Sequence, residues 1–428
     1  MMVADEVETT SGAGRLANTV LCAIFGFPVL IICGCYLIYV NEMNAVCMSS
    51  AFLQGEEMVQ PWHCDNPHAQ NGSLLFLHCD LEKEGLQPLR LPGSTDFSGL
   101  SHAGVGLKVV AEMLQCVEHA TEKTLKDSVG GGTTTHKTYS YSLEWRARHV
   151  ASGDFSTSAT ARQKKAAACG PEANPQWPPN VPRPTTVWSE TIRIGGFRSS
   201  DAALIEQANL TRLVAGFQAP SGWRKESSGH YTSMNWAVPA LNGQSPSGLR
   251  PGAVRVSFLS NDWSKPKLTV LAGSRGGQLV QWMSPSTWLC ASQPLSRLEA
   301  GTLTRKALFR RLHDEVDLQT WILRFVGFCI LWAAVMLLFG PLQVALDCIP
   351  CAGRHVSDQL EAVTCCISCL PATACTSLII GVVWVVTRPL IGISLLATFG
   401  VVFCGFTTFK AYGPQRPAKE KLDYDTLS

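Results

Sequence analysis

Cysteines are the residues of this 428-residue chain best suited to do chemistry. Seventeen are present, in two sets: eleven in or beside long apolar stretches, and six in a polar stretch between them. Cys348-Ile349-Pro350-Cys351 and Cys366-Ile367-Ser368-Cys369 form two C-x-x-C pairs with fourteen residues between them. That spacing resembles a structural zinc site, which needs four thiolates in a tetrahedron. The context argues against it, because the second pair falls inside an apolar stretch where thiolates would need neutralising. No metal is expected there. Small apolar packing residues are the leading reading, and Cys348 and Cys351 are candidates for palmitoylation at a membrane surface.

The six remaining cysteines are Cys47, Cys64, Cys79, Cys116, Cys169 and Cys290. An even count permits disulfides in an oxidising compartment, with free buried thiols as the alternative. Cys64 and Cys79 are the first pair to test, since they would close a short loop worth ~3 kcal/mol. His63, His68 and His78 lie beside them as soft ligands, but solvated histidines and a disulfide are the expected state. No G-x-S-x-G, no H-E-x-x-H and no phosphate-binding glycine loop occurs, and Gly104-Val105-Gly106 lacks the rest of a dinucleotide fingerprint. No catalytic residue and no cofactor is expected, and a net charge of +2 gives no nucleic-acid signal.

The elements that hold these residues are set by the bilayer. A hydrocarbon core of ~30 Å needs ~20 apolar helical residues. Four uncharged stretches meet that length: Val20–Val40, Phe325–Leu346, Ala362–Thr387 and Pro389–Phe409, the last two separated only by Arg388. The expected fold is an α + β membrane protein. It has four transmembrane helices, one N-terminal and three C-terminal, and a large, mainly antiparallel β domain in the lumen. Pro28, Pro371 and Gly340-Pro341 are candidate kinks, tolerated where neighbouring helices satisfy the freed carbonyls. None of the four spans contains an ionisable residue, which argues against a proton-coupled transporter.

Residues 1–19 carry Asp5, Glu6 and Glu8 against Arg15, an acidic front end that suits a retained anchor better than a cleaved signal peptide. They are expected as a cytosolic tail, with 41–324 as the lumenal domain, 347–361 as a short cytosolic loop and 410–428 as a cytosolic tail. Lys410, Arg416, Lys419 and Lys421 favour that orientation, while Arg305, Lys306, Arg310 and Arg311 weaken it. Two glycosylation sequons at Asn71 and Asn209 favour a lumenal domain. Asn209 falls at the end of a candidate helix, Asp201 to Leu210, which disfavours its use.

The clearest signal within the domain is alternation. Thr138 to Arg146 puts Tyr139, Tyr141, Leu143 and Trp145 on one face and hydroxyls and charges on the other, the mark of a half-buried strand. Val254 to Phe258 repeats it. Lys267 to Leu271 and Gln278 to Trp282 flank Gly273-Ser274-Arg275-Gly276-Gly277, a hairpin turn. Leu107 to Cys116 and Thr186 to Ile194 are further strands, and Gly170 to Pro184, with six prolines, is an extended loop. Residues 304–318 form a basic amphipathic helix that either lies on headgroups or, as the blander reading has it, packs on the β domain.

Several of these segments also resemble the transmembrane protein 43 (LUMA) family. The resemblance rests on Thr138 to Arg146 followed by Gly153-Asp154-Phe155, on Glu112-Met113 and Gln115, and on Leu249 with Val254 to Phe258. It extends to Gly277 to Val280, Thr320-Trp321, Leu323-Arg324, Gly327, Arg388-Pro389-Leu390 and Asn41-Glu42. Cys116 departs from it, standing where the family pattern leads us to expect a tryptophan. The match is collinear from about residue 20 to 409, leaving aside the proline-rich loop and the membrane cysteines. The resemblance implies a multipass protein of the endoplasmic reticulum and nuclear inner membrane. It also implies a non-enzymatic scaffold that organises membrane protein complexes through its lumenal domain and self-association. The partners implied are membrane lipids, other nuclear-envelope or reticulum membrane proteins, and further copies of the chain as a homo-oligomer. The alternative reading is a channel or transport component formed by oligomerisation.

Overall fold

The computed structural model describes residues 5–83, 86–91, 96–127, 131–214, 217–233, 250–261, 267–347 and 353–387, and a few between 390 and 401. The chain divides into two compact units. One holds Met1–Leu16, Cys47–Val316 and Val344–Arg354; the other holds Ala17–Val46, Asp317–Gln343 and His355–Ser428.

The first unit is built on two large sheets, with two small two-stranded ones beside them among the described residues. The eight-stranded sheet has the order Glu6–Thr10, Thr133–Arg146, Gly106–Lys126, Val254–Ser260, Tyr231–Ser233 and Trp223–Lys225, with Arg212–Leu213 and Thr185–Trp188 paired off this path. The seven-stranded sheet has the order Gln60–Pro61, Leu74–Asp80, Lys267–Arg275, Gln278–Val280, Phe197–Ser199 and Ile192–Ile194, with Arg297–Ala300 also on Lys267–Arg275. Pairing is antiparallel except at Gln60–Pro61 with Leu74–Asp80 and at Phe197–Ser199 with Gln278–Val280. The expected hairpin turn is two residues, Gly276 and Gly277, at φ of 59° and 77°. This left-handed pair is the geometry that matches strand twist, and glycine adopts it without a Cβ clash.

Burial explains which strands alternate. Leu75, Leu77 and Cys79 enter one core with Val270, Ala272, Leu279, Ile192 and Phe197, whereas Leu74 and Phe76 enter another with Leu271, Trp282, Leu308, Phe309 and Leu312. Leu74–Asp80 is therefore covered on both faces and reads as a continuous apolar run. A third core joins Leu107, Val109, Ala111 and Met113 to Val254, Val256, Phe258 and Tyr231.

The expected basic amphipathic helix is the first part of a 43-residue helix, Arg305–Asp347. Leu308, Phe309 and Leu312 are buried against Phe52 and Leu74, so its apolar face packs on the β domain and is not free to lie on headgroups. The expected helix from Asp201 to Leu210 is only Ala202–Ile205, capped by Asp201 and closed by Glu206. The expected strand from Thr186 to Ile194 is two strands, interrupted where Ser189 turns its hydroxyl onto Thr191 O.

Part of the stretch expected as a cytosolic tail, 1–19, is a strand. Glu6–Thr10 is a strand paired with Lys137 through Thr133, and Arg15 donates to Gly131 O at 2.5 Å and meets Asp347 at 3.3 Å. Residues 6–10 are thus a strand of the domain's own sheet.

The second unit is helical. Gly12–Leu21, a π turn at Cys22–Gly26 and Phe27–Met58 run on without a break. The π turn directly precedes Pro28, whose missing N–H removes a regular i→i−4 bond. Arg305–Asp347 and Gly353–Thr387 continue through Pro341 and Pro371. Three helices are thus long and apolar enough to cross a membrane among the described residues. The expected fourth span, the Arg388 hairpin, Cys348 and Cys351 lie wholly or mostly outside the described residues. Ile38, Leu331 and Ala372 form this unit's core. A Cβ added at Gly34 would stand 2.8 Å from Leu331 Cδ2, and one at Gly327 would stand 2.4 Å from Ile38, so two helices meet here through bare backbone.

Candidate functional site

The six cysteines of the polar stretch are all spent on disulfides: Cys47–Cys290, Cys64–Cys79 and Cys116–Cys169. Their Cα atoms lie 5.4–5.7 Å apart. Cys64–Cys79 ties the start of the domain to the strand Leu74–Asp80, and Cys116–Cys169 ties the longest strand to the helix Ala159–Cys169. Cys47–Cys290 ties the helix Phe27–Met58 to the loop between Trp282–Met283 and Pro294–Leu295. With Cys64 and Cys79 bonded to each other, the neighbouring histidines face no thiolate. His78 Nε2 instead lies 2.7 Å from Leu303 O. Among the described residues no three His, Cys, Asp or Glu side chains converge as a metal site would.

The two sequons sit differently. Asn71 is exposed in the turn before Leu74–Asp80, and its Oδ1 accepts from Gly276 N at 2.6 Å, so the carbonyl oxygen and not the amide nitrogen is engaged. Asn209 is exposed too, in an irregular stretch at the edge of a cavity of about 230 Å³ lined also by Leu81, Val105, Thr211, Glu299 and Arg311. The charges on that wall are already paired, Arg311 with Glu299 at 3.3 Å and Arg297 with Glu299 at 3.0 Å.

The arrangement closest to a catalytic pair is His102 with Ser260, Nε2 to Oγ 2.9 Å. Ser260 is 1% exposed and donates its hydroxyl to Gly106 O at 2.8 Å. His102 then faces that oxygen as a donor, the reverse of a base poised to take a proton. Burial holds the His102 imidazole below its usual pKa. Among the described residues no carboxylate is bonded to its other nitrogen, so the orienting member of a triad is not supplied.

Two charged clusters were hidden from sequence reasoning. At the N-terminus the Asp5 carboxylate, shielded from solvent, accepts from Lys164 Nζ at 2.6 Å and Tyr139 N at 2.8 Å. Burial alone would raise the Asp5 pKa, but the Lys164 ammonium and the Tyr139 N–H together hold it below the usual range. Tyr139 donates to Glu6 at 2.8 Å, and Tyr141 donates to Glu118, which also accepts from Ser156 N. Burial and the Glu118 carboxylate raise the Tyr141 pKa.

The other cluster lies in the helical unit. Glu42, 1% exposed, accepts from Arg324 Nε and Nη2 through its two oxygens, and Trp384 Nε1 donates to it at 3.0 Å. The Arg324 guanidinium lies 4.8 Å from the Trp321 ring, and Asn41 Nδ2 donates to Thr320 O at 3.1 Å. A buried ion pair of this kind persists only when its remaining valences are bonded. Its signal in the sequence was Glu42 just after one apolar stretch and Arg324 just before the next.

Comparison with known proteins matches residues 113–389 to the family described as Transmembrane protein 43. The Transmembrane protein 43 of Mus musculus is 26% identical over 365 residues, covering 83% of this chain and 82% of that protein. That of Homo sapiens is 25% identical over 366 residues, again covering 83% and 82%. No solved structure matches.

Proposed function

This chain belongs to the transmembrane protein 43 family, and from that premise we propose that it is a non-enzymatic multipass scaffold of the endoplasmic reticulum and nuclear inner membrane. Its disulfide-bearing body lies in the lumen, where it offers a docking surface to other membrane proteins, and copies of the chain associate through their apolar helices. The observation that carries this reading is the disulfide set. Three bonds that consume every cysteine of the polar stretch belong to an oxidising compartment. The cavity wall of self-paired charges and the reversed Ser260–His102 bond support a structural role over a chemical one.

Proximity labelling tests it, with a peroxidase inserted in the proline-rich stretch Gly170 to Pro184. Membrane proteins of the reticulum and nuclear envelope should dominate the labelled set. Cytosolic or plasma-membrane neighbours would sink the proposal. Purified protein in liposomes should pass no ions; a selective flux would favour the transport reading.

A further inference from the structure

The loop between Trp282–Met283 and Pro294–Leu295 is built to hold one side chain in the open. Its base is closed by Ser284 N to Gln293 O and Gln293 N to Ser284 Oγ, both 2.9 Å. Its tip is a tight turn, with Thr287 N to Cys290 O at 2.8 Å and Cys290 N to Thr287 Oγ1 at 3.0 Å. Trp282, Leu295 and Cys290 are buried at 5%, 2% and 7% exposure, whereas Trp288 at the tip is 84% exposed. The turn is thus ordered by its own hydrogen bonds, while its largest apolar ring stands in solvent. An indole left this way forgoes roughly 2–3 kcal/mol of burial.

The second observation is where this turn is fastened. Cys290 is bonded to Cys47, which lies on the helix Phe27–Met58, seven residues beyond Val40. Seven helical residues advance ~10 Å, and the headgroup zone extends ~6 Å beyond the hydrocarbon edge. Trp288 is two residues from Cys290, at most ~7 Å of chain. The disulfide therefore keeps an exposed indole within reach of the level where the first apolar stretch ends.

We propose that Trp288 is an interfacial membrane anchor, its indole lying among the lipid headgroups of the leaflet that the first apolar helix leaves at Asn41. An indole suits that zone because its ring is apolar and its N–H is a donor. The Cys47–Cys290 bond is the strut that sets its depth. The inference requires the helix to cross the bilayer and is independent of which compartment faces the domain.

Full-length protein in phosphatidylcholine vesicles provides the test, with Trp288 replaced by a fluorescent amino acid of similar size. Intact disulfides, read by non-reducing peptide mapping, report that this variant is folded. A nitroxide on the acyl chain close to the headgroup should quench the emission strongly, because the interface is where an amphipathic ring settles. Aqueous iodide should quench it much less than it quenches the free amino acid. No nitroxide quenching, with iodide fully effective, would overturn the proposal. Shielding from both reagents would overturn it too, because the side chain would then lie in a contact between copies of the protein. In the Cys47→Ser, Cys290→Ser double variant the probe should move toward iodide access.

Discussion

Cysteine separates the β-rich unit from the helical one. In the former, Cys47, Cys64, Cys79, Cys116, Cys169 and Cys290 are all oxidised in pairs. In the latter, Cys22, Cys33, Cys35, Cys329, Cys365, Cys366, Cys369 and Cys375 are free. The contrast follows from what each unit lacks. A sheet domain assembled from strands far apart in sequence must overcome a large loop-closure entropy, and cross-links lower the entropy of its unfolded chain. Apolar helices satisfy their backbone internally and gain little from cross-links, so there a thiol serves as a small packing group. The helical unit secures its register with a buried ion pair, Glu42–Arg324, and with bare backbone at Gly34 and Gly327.

The largest expected effect is all-or-none and asks to which unit the N-terminal strand belongs. Glu8 and Thr135 are directly opposed in the sheet, at a spacing that a disulfide can bridge. If the helix Gly12–Met58 crosses the bilayer, as the proposed function requires, the membrane separates the two residues, and Glu8→Cys with Thr135→Cys should stay reduced in native membranes while the native disulfides are intact, read on non-reducing gels after protease nicking. Near-complete cross-linking would put residues 6–10 on the domain's side, and the first helix would then not span the bilayer.

Next in size are the cross-links. Cys47–Cys290 spans 243 residues of sequence and Cys64–Cys79 spans 15. The loop-closure relation makes them worth about 5 and about 3 kcal/mol. Serine replacements should lower thermal stability in that order; equal losses would mean that loop entropy is not what the bonds supply. In the helical unit the corresponding break is Glu42→Ala, which strands the Arg324 charge beside Trp384 at a cost of about 3–5 kcal/mol. Glu42→Gln, which can still accept one hydrogen bond, should cost less. Equal unfolding of both variants in a detergent titration would show that the pair is already hydrated.

A smaller difference is one of pH. Burial lowers the His102 pKa from 6.5 in the folded chain, so the unfolded chain binds the extra proton as pH falls through 6.5. Stability of the β-rich unit should fall from there down to the lowered folded pKa, and this contribution should level off below it. His102→Gln should remove this component of the fall. An unchanged pH profile in the variant would place His102 in contact with solvent.

Much of this comparison was legible in the sequence. Length and charge marked the helices, and alternation of apolar residues with hydroxyls and charges marked Thr138 to Arg146 and Val254 to Phe258. Leu74–Asp80 escaped notice because both its faces are covered, which erases period two. Glu6–Thr10 escaped it because no local pattern distinguishes an acidic tail from an edge strand whose partner is more than 120 residues away. The helix Ala159–Cys169 carries little amphipathic signal, being mostly Ala and Lys, and is fixed by the Ser158 cap and the Cys169 bond. Cys64–Cys79 was proposed from its short loop. Cys47–Cys290 and Cys116–Cys169 were not, since pairings over 243 and 53 residues depend on the fold itself.

The last prediction leaves stability almost untouched and bears on the side of the membrane. If the oxidised unit faces the lumen, its two sequons meet the glycosylation machinery, and both asparagines are exposed to it. Asn71 is exposed in a turn that ends at Gly72, whose φ of 84° turns the backbone away, and its Oδ1 rather than its amide nitrogen is engaged by Gly276 N. Asn209 is exposed as well, in an irregular stretch beside Glu299 and Arg311. Asn71→Gln and Asn209→Gln should therefore each remove part of the endoglycosidase-sensitive mass shift. Loss of the whole shift in one variant alone would mean that the other asparagine is covered while the chain is being modified. Complete absence of glycan in the wild type, with the three disulfides present, would separate oxidation from lumenal exposure and break the link between the cysteine contrast and the side of the membrane.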